Sequence, residues 1–479
     1  MEKNLTTGNV LRTIIVFALP YLLSYFLQTL YGMADLFIAG QFIGVDGITA
    51  VANGSQVLYM LTVVIVGLAM GATVTIGRAI GANRLDRAAR AIGNVITLFA
   101  GIALVLTVVL LLNVRNIVSL IGVPAQAAEG TVQYLTICYI GIPFIVAYNI
   151  ISSVFCGLGD SKSPMYFIAV ACLCNIAFDY LFMGWLHLGP SGAALGTTLA
   201  QTVSVIVALA AIRCRHTGVR LRLSDLRFDK GILGSILGVG VPTAVQDGCI
   251  QIAFIIITVI ANYRGLDDAA AVGVVEKVIS ALFLVPSSML ATVSAVSAQN
   301  IGAGKTQRAT QTLRYATAIT VAYGIAVSIV VELTAGSIVG LFTTDATVIV
   351  LGTQYLRSYI VDSIFAGVHF CFSGFFAACG RSYIGFIHNI VAITLVRVPG
   401  GVSGFQAVPG YAVAHGHCGS RRFAAFRADL PGLLCVAQAS RHNCREGDCA
   451  VMGGHKGTVG ESRGDGRLFR IDEVDRFLP

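Results

Sequence analysis

The sequence predicts an all-α polytopic membrane protein, two pseudo-symmetric bundles of six transmembrane helices in parallel repeat, with the twelfth helix missing or replaced. Three observations predict it. Of 479 residues, 56% are apolar and only 12% are charged, about half the charge of an ordinary soluble domain, which runs near 25%. Uncharged stretches follow one another for most of the chain. The chain also repeats its own motifs at one fixed offset.

Composition sets the solvent. A mean hydropathy of +0.80 over this length exceeds what a water-soluble core can bury, so most of the chain meets lipid. In a soluble protein a net charge of +8 would suggest nucleic acid. Here the Lys and Arg residues are not clustered with aromatics, no nucleic-acid partner is expected, and cytoplasmic loops account for the excess. The 12 cysteines have no regular spacing. Several, such as Cys138, Cys156, Cys172 and Cys174, sit in apolar runs and read as small packing residues. The first apolar run is too long for a cleaved signal peptide and lacks a small-residue cleavage site.

The spans come next. Uncharged stretches run over Thr13–Ala34, Gly47–Gly77, Ala91–Val114, Gly130–Gly159, Ser163–Phe178 and Tyr180–Ile212. They resume at Gly231–Val245, Gly248–Tyr263, Val278–Gly304, Tyr315–Val331, Ser363–Gly380 and Ser382–Val396. A helix needs about 20 apolar residues to cross a bilayer. Splitting at turn signals such as Gly159-Asp-Ser-Lys-Ser-Pro164 and Leu188-Gly-Pro-Ser-Gly192 gives about eleven spans before residue 400. Only helices satisfy their backbone in lipid at these lengths.

Charge orients them. One set of alternate loops holds Arg84, Arg87, Arg90, Lys162, six basic residues between Arg213 and Lys230, then Lys305, Arg308, Arg314 and Arg381. The other holds little beyond Arg115 and Arg264. The positive-inside rule places the first set, and the N-terminus, in the cytoplasm.

The repeat pairs the two halves. Ile80-Gly-Ala-Asn-Arg-Leu-Asp-Arg-Ala88 matches Ile301-Gly-Ala-Gly-Lys-Thr-Gln-Arg-Ala309 at an offset of 221, and Tyr134-Leu135 matches Tyr355-Leu356 in the same register. Gly159-Asp-Ser161 and Gly380-Arg-Ser382 keep it too, and Pro20 pairs with Pro242 one residue further on. Both copies start on the same side, so the repeat is parallel, about an axis along the membrane normal. The expected organisation is an N-terminal six-helix lobe over 1–215, a linker over 216–230, a C-terminal lobe of about five helices over 231–400, and an aberrant, poorly ordered tail over 401–479. Two such lobes enclose a central cavity suited to alternating access.

The tail breaks the pattern. The partner of the sixth span, near 414–433, carries several charges that forbid a normal span. Eighteen of the 79 residues after 400 are charged, against 38 in the 400 before them, so the break is abrupt. A change of reading frame explains it. Read from the second base of each codon, the stretch from His415 can encode Met-Gly-Ile-Ala-Ala-Pro and then an apolar helix. A genuine divergent cytoplasmic tail is the alternative, and DNA resequencing across codons 395–405 decides between them. The spacing of Cys444 and Cys449, and the Arg463-Gly-Asp465 triplet, are too unspecific to mean a metal or an adhesion site.

Ionisable and amide side chains inside spans are functional candidates. Gln28 and Asp35 lie two turns apart on one face of the first span. Asn175 and Asp179 are four apart, as are Thr197 and Gln201, and Asn149 lies in the fourth span. This first-lobe set can hold a proton, ligate Na⁺ through its oxygens, or attract a cationic drug. Na⁺ is placed at Asp35, Asp179 and Asn175, with no other metal and no cofactor expected. The plain alternative is that Asp35 sits at the membrane surface and is merely solvated. In the second lobe Asp247 is the leading cation candidate among Gln246, Glu276, Lys277 and Asp362. His369 and His388 read as hydrogen-bonded packing residues before proton relays.

These residues resemble a known family. Gln28-Thr-Leu-Tyr-Gly-Met-Ala-Asp35-Leu-Phe-Ile-Ala-Gly40, the two Ile-Gly-Ala loops, Gly157-Leu-Gly-Asp-Ser-Lys-Ser-Pro164 and Asn175-Ile-Ala-Phe-Asp179 are similar to motifs of the multidrug and toxic compound extrusion (MATE) family, over residues 1–400. The resemblance implies twelve helices in two lobes, export of cationic amphipathic small molecules, and coupling to inward Na⁺ or H⁺. In DinF-like relatives it implies a cluster at Gln28, Asp35, Asn149, Asn175, Asp179 and Thr197, with Gln201 and Asp247 as weaker candidates read from this chain alone. NorM-like relatives use acids on the seventh and tenth helices, where this chain has apolar residues near Ile250 and Ala366, and that departure favours coupling in the first lobe. A monomeric antiporter is expected, not an enzyme, since no nucleophile set or catalytic carboxylate pair gathers at one depth. A flippase for a lipid-linked precursor would need cationic residues in the cavity, and a chain lacking its twelfth span would be an inactive transporter.

Overall fold

The computed structural model describes residues 4–214 and 221–392, all within one compact unit. The described residues are almost wholly helical. Helix α1 (Val10–Phe42) starts at Asn9, whose side chain accepts from the Arg12 amide. Helices α2 (Val45–Gly81) and α3 (Leu85–Leu120) follow across tight turns. Helices α4 (Ala125–Ile140) and α5 (Ile142–Gly157) form one span bent by 49° at Gly141. There a Cβ would strike the Thr198 side chain. Helix α6 (Lys162–Asp179) runs on as a π-helical turn, Tyr180–Trp185, before α7 (Pro190–Cys214).

The second half repeats this. Helix α8 (Lys230–Arg264) is capped by Asp229. Helices α9 (Leu266–Leu282) and α10 (Leu284–Gly302) make one continuous span, followed by α11 (Thr306–Gly340). Helices α12 (Ala346–Ile360) and α13 (Asp362–Ala378) are bent by 42°, and α14 (Ser382–Ala392) ends the described chain. Among the described residues eight helical spans are long and apolar enough to cross a membrane, ten if each bent pair counts once. Of the eleventh span expected, only the 11 residues of α14 fall among the described residues. The uncharged stretches at 231–245 and 248–263 are one helix, because Gln246 and Asp247 lie on its inner faces without interrupting it. The expected twelfth helix, the frame change, the tail over 401–479 and its Cys and Arg-Gly-Asp motifs lie outside the described residues.

The offset of 221 carries through to helix ends. Helix α2 begins and ends 221 residues before α9 begins and α10 ends. Asn83 and Gly304, and Gly159 and Gly380, occupy left-handed backbone in matching turns, where Asn and Gly meet the least steric cost.

The lobes meet most closely at the end carrying the basic loops. A Cβ at Gly81 would overlap the Gln299 carbonyl oxygen, and one at Gly302 would overlap that of Arg78. These are the same contact twice, since 78 pairs with 299 and 81 with 302. Small residues let the backbones of α2 and α10 cross here without side chains between them. A polar latch follows the same symmetry. Arg78 donates through Nε and Nη2 to the Ala378 carbonyl at the end of α13, at 2.9 and 2.6 Å. Gln299 Nε2 donates to the Gly157 carbonyl at the end of α5, at 2.9 Å. Both satisfy carbonyls that a helix C-terminus leaves unpaired, and the Arg78 charge also complements the α13 dipole.

Each lobe is also tied to the other by its leading segment. The Leu5 amide donates to Gln299 Oε1 at 3.3 Å. Lys305 Nζ donates to the Thr6 carbonyl at 2.9 Å, and Arg308 donates to the Thr7 and Gly8 carbonyls, each at 2.7 Å. In the counterpart, the Asp229 amide donates to Asn94 Oδ1 at 2.8 Å and Thr97 Oγ1 to the Leu226 carbonyl at 2.9 Å.

Candidate functional site

Helix α1 packs on α6, and α6 on α7. Their facing sides carry the polar side chains of the first lobe. Asp35 is 5% exposed and Asp179 is fully buried. Asn175, Thr197 and Gln201 are buried with them. Asp35 is therefore not a solvated residue at a helix end, since α1 continues for two further turns and packs over it.

The spacing puts each group in place. Asn175 and Asp179 stand one turn apart on α6, and the π-helical turn opens directly after Asp179. On α7, a Cβ at Gly196 would land on Asp179 Oδ1, so the missing side chain is what lets the carboxylate lie against that helix. Asp35 faces Asp179 and Asn175 at interacting range. Thr197 Oγ1 donates to Asp35 Oδ2 at 3.3 Å. The other oxygen of Asp35, both of Asp179, both polar atoms of Asn175 and Oε1 of Gln201 make no well-formed hydrogen bond among the described residues, although Asp179 and Asn175 stand within reach of the Asp35 carboxyl and can share a proton with it. Buried polar atoms are nearly always paired. Oxygens grouped around two buried carboxylates can take up a cation or share a proton. At about 4 Å, two like charges repel by about 4 kcal/mol even at an effective dielectric constant near 20, so the pair favours whatever adds positive charge between them.

Not every candidate joins this group. Asn149 is buried, but its Nδ2 donates to the Ile145 carbonyl of its own helix at 2.8 Å. Gln28 is half-buried two turns before Asp35. Three residues that the sequence did not mark as site candidates lie around it, among them Cys138, which reads there as a packing residue. Tyr31 lies beside Asp35 and Gln201, and Tyr134 and Cys138 of α4 also border Asp35. Tyr31 was open to discovery, because it shares the Gln28–Asp35 helix face at one-turn spacing. Tyr134 carried only the repeat signal, and Gly54 of α2 makes room for its ring.

The second lobe is arranged differently. Glu276 accepts from Thr258 at 3.2 Å, and Asp362 begins α13 at the bend. The His369 and His388 rings stack with centroids 5.2 Å apart. Asp247 is half-buried near Tyr25 and Tyr59.

Comparison with known proteins is consistent across three kinds. The MatE family matches twice, over residues 20–181 and 242–402, two segments in the register of the internal repeat. A probable multidrug resistance protein, YoeA of Bacillus subtilis, is 26% identical over 398 residues, covering 82% of this chain and 86% of that protein. A MATE transporter solved in complex with MaL6 superposes with a TM-score of 0.82 at 21% identity, covering 90% of this chain and 99% of that one. An outward-facing multidrug resistance MATE family transporter of the MOP superfamily gives 0.81 at 21%, covering 90% and 98%. At these identities the solved structures share the fold.

Proposed function

The chain belongs to the MatE family of multidrug efflux transporters, and we propose that it is a monomeric antiporter exporting cationic, amphipathic compounds across the bacterial cytoplasmic membrane in exchange for inward Na⁺ or H⁺. The observation that carries the coupling is the meeting of Asp35 and Asp179, from separate helices, in a buried group of oxygens. An incoming cation or proton relieves their repulsion and draws α1 towards α6 and α7. Without it the two carboxylates push α1 away. Helix α1 is suited to this, since Pro20 removes an internal hydrogen bond and leaves a bend point below Asp35. A site whose occupancy changes helix packing shifts the balance between two conformations, and opposite preferences of drug and coupling ion make the exchange obligatory.

Orientation rests on the basic loops. With Arg84, Arg87, Lys305 and Arg308 in the cytoplasm, the tight crossing of α2 and α10 lies on the inner side and closes it. The test is dye efflux from cells or vesicles with a Na⁺ gradient or a proton gradient imposed separately. Asp179→Asn should abolish export and drug resistance while the protein still inserts. Normal export by that variant would remove the first-lobe coupling site from consideration.

A further inference from the structure

Helices α2 and α8 run antiparallel and interlock towards the basic end. A Cβ at Gly71 would overlap the Ile236 carbonyl oxygen, one at Gly240 would lie 2.5 Å from the Leu68 carbonyl oxygen, and one at Gly67 would lie 2.6 Å from the Ala244 Cα. One turn further the contact relaxes. A Cβ at Gly248 would meet only Val64, at 4.0 Å. At the next level Tyr59 is 56% exposed although it borders Gln251 across the lobes. The two helices therefore form a fork whose apex lies between Gly67–Ala244 and Val64–Gly248.

Asp247 stands at that apex. It is the midpoint residue of the 35-residue α8, at the depth where an ionisable side chain in lipid is least tolerated without a purpose. Among the described residues no hydrogen bond or ion pair holds its carboxylate. Tyr25 of α1 and Tyr59 of α2 lie near enough to feel its charge. Tyr25 lies five residues after Pro20, as Asp247 lies five after Pro242, so the two occupy matching positions on either side of the repeat axis.

The geometry points to Asp247, Tyr25, Tyr59 and Gln251 as the binding site for the organic cation, separate from the Asp35–Asp179 pair. This rests on the export reading above and names the place where the cargo is held. One carboxylate supplies the counter-charge, two aromatic faces suit a diffuse positive charge on an apolar body, and Gln251 offers a hydrogen bond. An alkali ion needs a cage of several oxygens instead, which the first lobe provides. Along α1, Tyr25 and Asp35 are ten residues, or about 15 Å, apart. One helix thus borders both sites without bringing them into contact.

The experiment is equilibrium binding of tetraphenylphosphonium to the purified full chain, with neutral triphenylphosphine oxide as the uncharged comparison. Asp247→Asn should weaken tetraphenylphosphonium binding at least tenfold and leave the neutral compound unchanged. Tyr59→Leu, which removes no charge, should weaken the cation several-fold, and it keeps the test decisive if Asp247→Asn does not fold. Native affinity in both Asp247→Asn and Tyr59→Leu, with drug export intact, would overturn the site and leave the export reading standing. A native chain that binds no tetraphenylphosphonium would overturn both.

Discussion

Gly196→Ala tests the coupling site without touching a charged residue. The added methyl would sit on Asp179 Oδ1, closer than any real carbon–oxygen contact. To reach van der Waals separation the carboxylate must retreat by about 1 Å. Turning it off its rotamer by about 30° costs about 0.5–1.5 kcal/mol, and crowding a packed interior costs about 1–3 kcal/mol. Since 1.4 kcal/mol is about tenfold in affinity, and a displacement of about 1 Å can cost about a hundredfold in a positioned site, the coupling-ion concentration for half-maximal export should rise between about ten- and a hundredfold. Drug binding should stay as it was. The assay is dye efflux from vesicles across a series of imposed Na⁺ and proton gradients. Gly238→Ala is the control, because its Cβ meets nothing within 4 Å. An unchanged half-maximal concentration in Gly196→Ala would refute the claim that the Asp179 carboxylate is held in place by the bare α7 backbone.

Other outcomes follow from the closed end. Gly81→Ala pushes a methyl into the Gln299 carbonyl, which is backbone and cannot swing aside, so closure should weaken by about 1–3 kcal/mol. Maleimide labelling of the buried Cys379, read by peptide mass spectrometry, should accelerate accordingly. Arg78→Ala removes both bonds to the Ala378 carbonyl; a charged hydrogen bond contributes about 1.5–3 kcal/mol, and the same label should report at least a tenfold gain. Asp345→Ala removes a cap that accepts from the Thr347 and Val348 amides and should cost about 1 kcal/mol in thermal or denaturant unfolding with export unchanged.

The fold was open to sequence reasoning because lipid imposes one secondary structure and the gene repeats itself. An offset seen in a few motifs around Ile80 and Ile301 holds to the residue at helix ends. The Asp35, Asn175, Asp179 and Thr197 group was visible as carboxylates and amides at one-turn spacing. Its tightness was not, because that depends on Gly196, whose only signal is the lack of a side chain. The pairing of Arg78 with Gln299 was hidden for a different reason. The two positions perform the same capping with unlike side chains, so comparison of the copies shows a difference where the structure shows an equivalence. Asn149 shows the opposite failure: an amide inside a span that bonds its own helix looks the same in a sequence as one that serves a site.

The mooring of Leu5–Gly8 on Gln299, Lys305 and Arg308 bears on biogenesis. Residues 5–8 have their partners some 300 positions later in the chain. At about 5–20 residues per second, the leading segment waits roughly 15–60 s before its anchors are translated. During that interval the first bundle inserts with its start untethered, and contacts of such sequence separation form late. Locking of this segment is therefore a closing event of assembly, and a protease site placed among residues 4–8 would record when the second half has arrived.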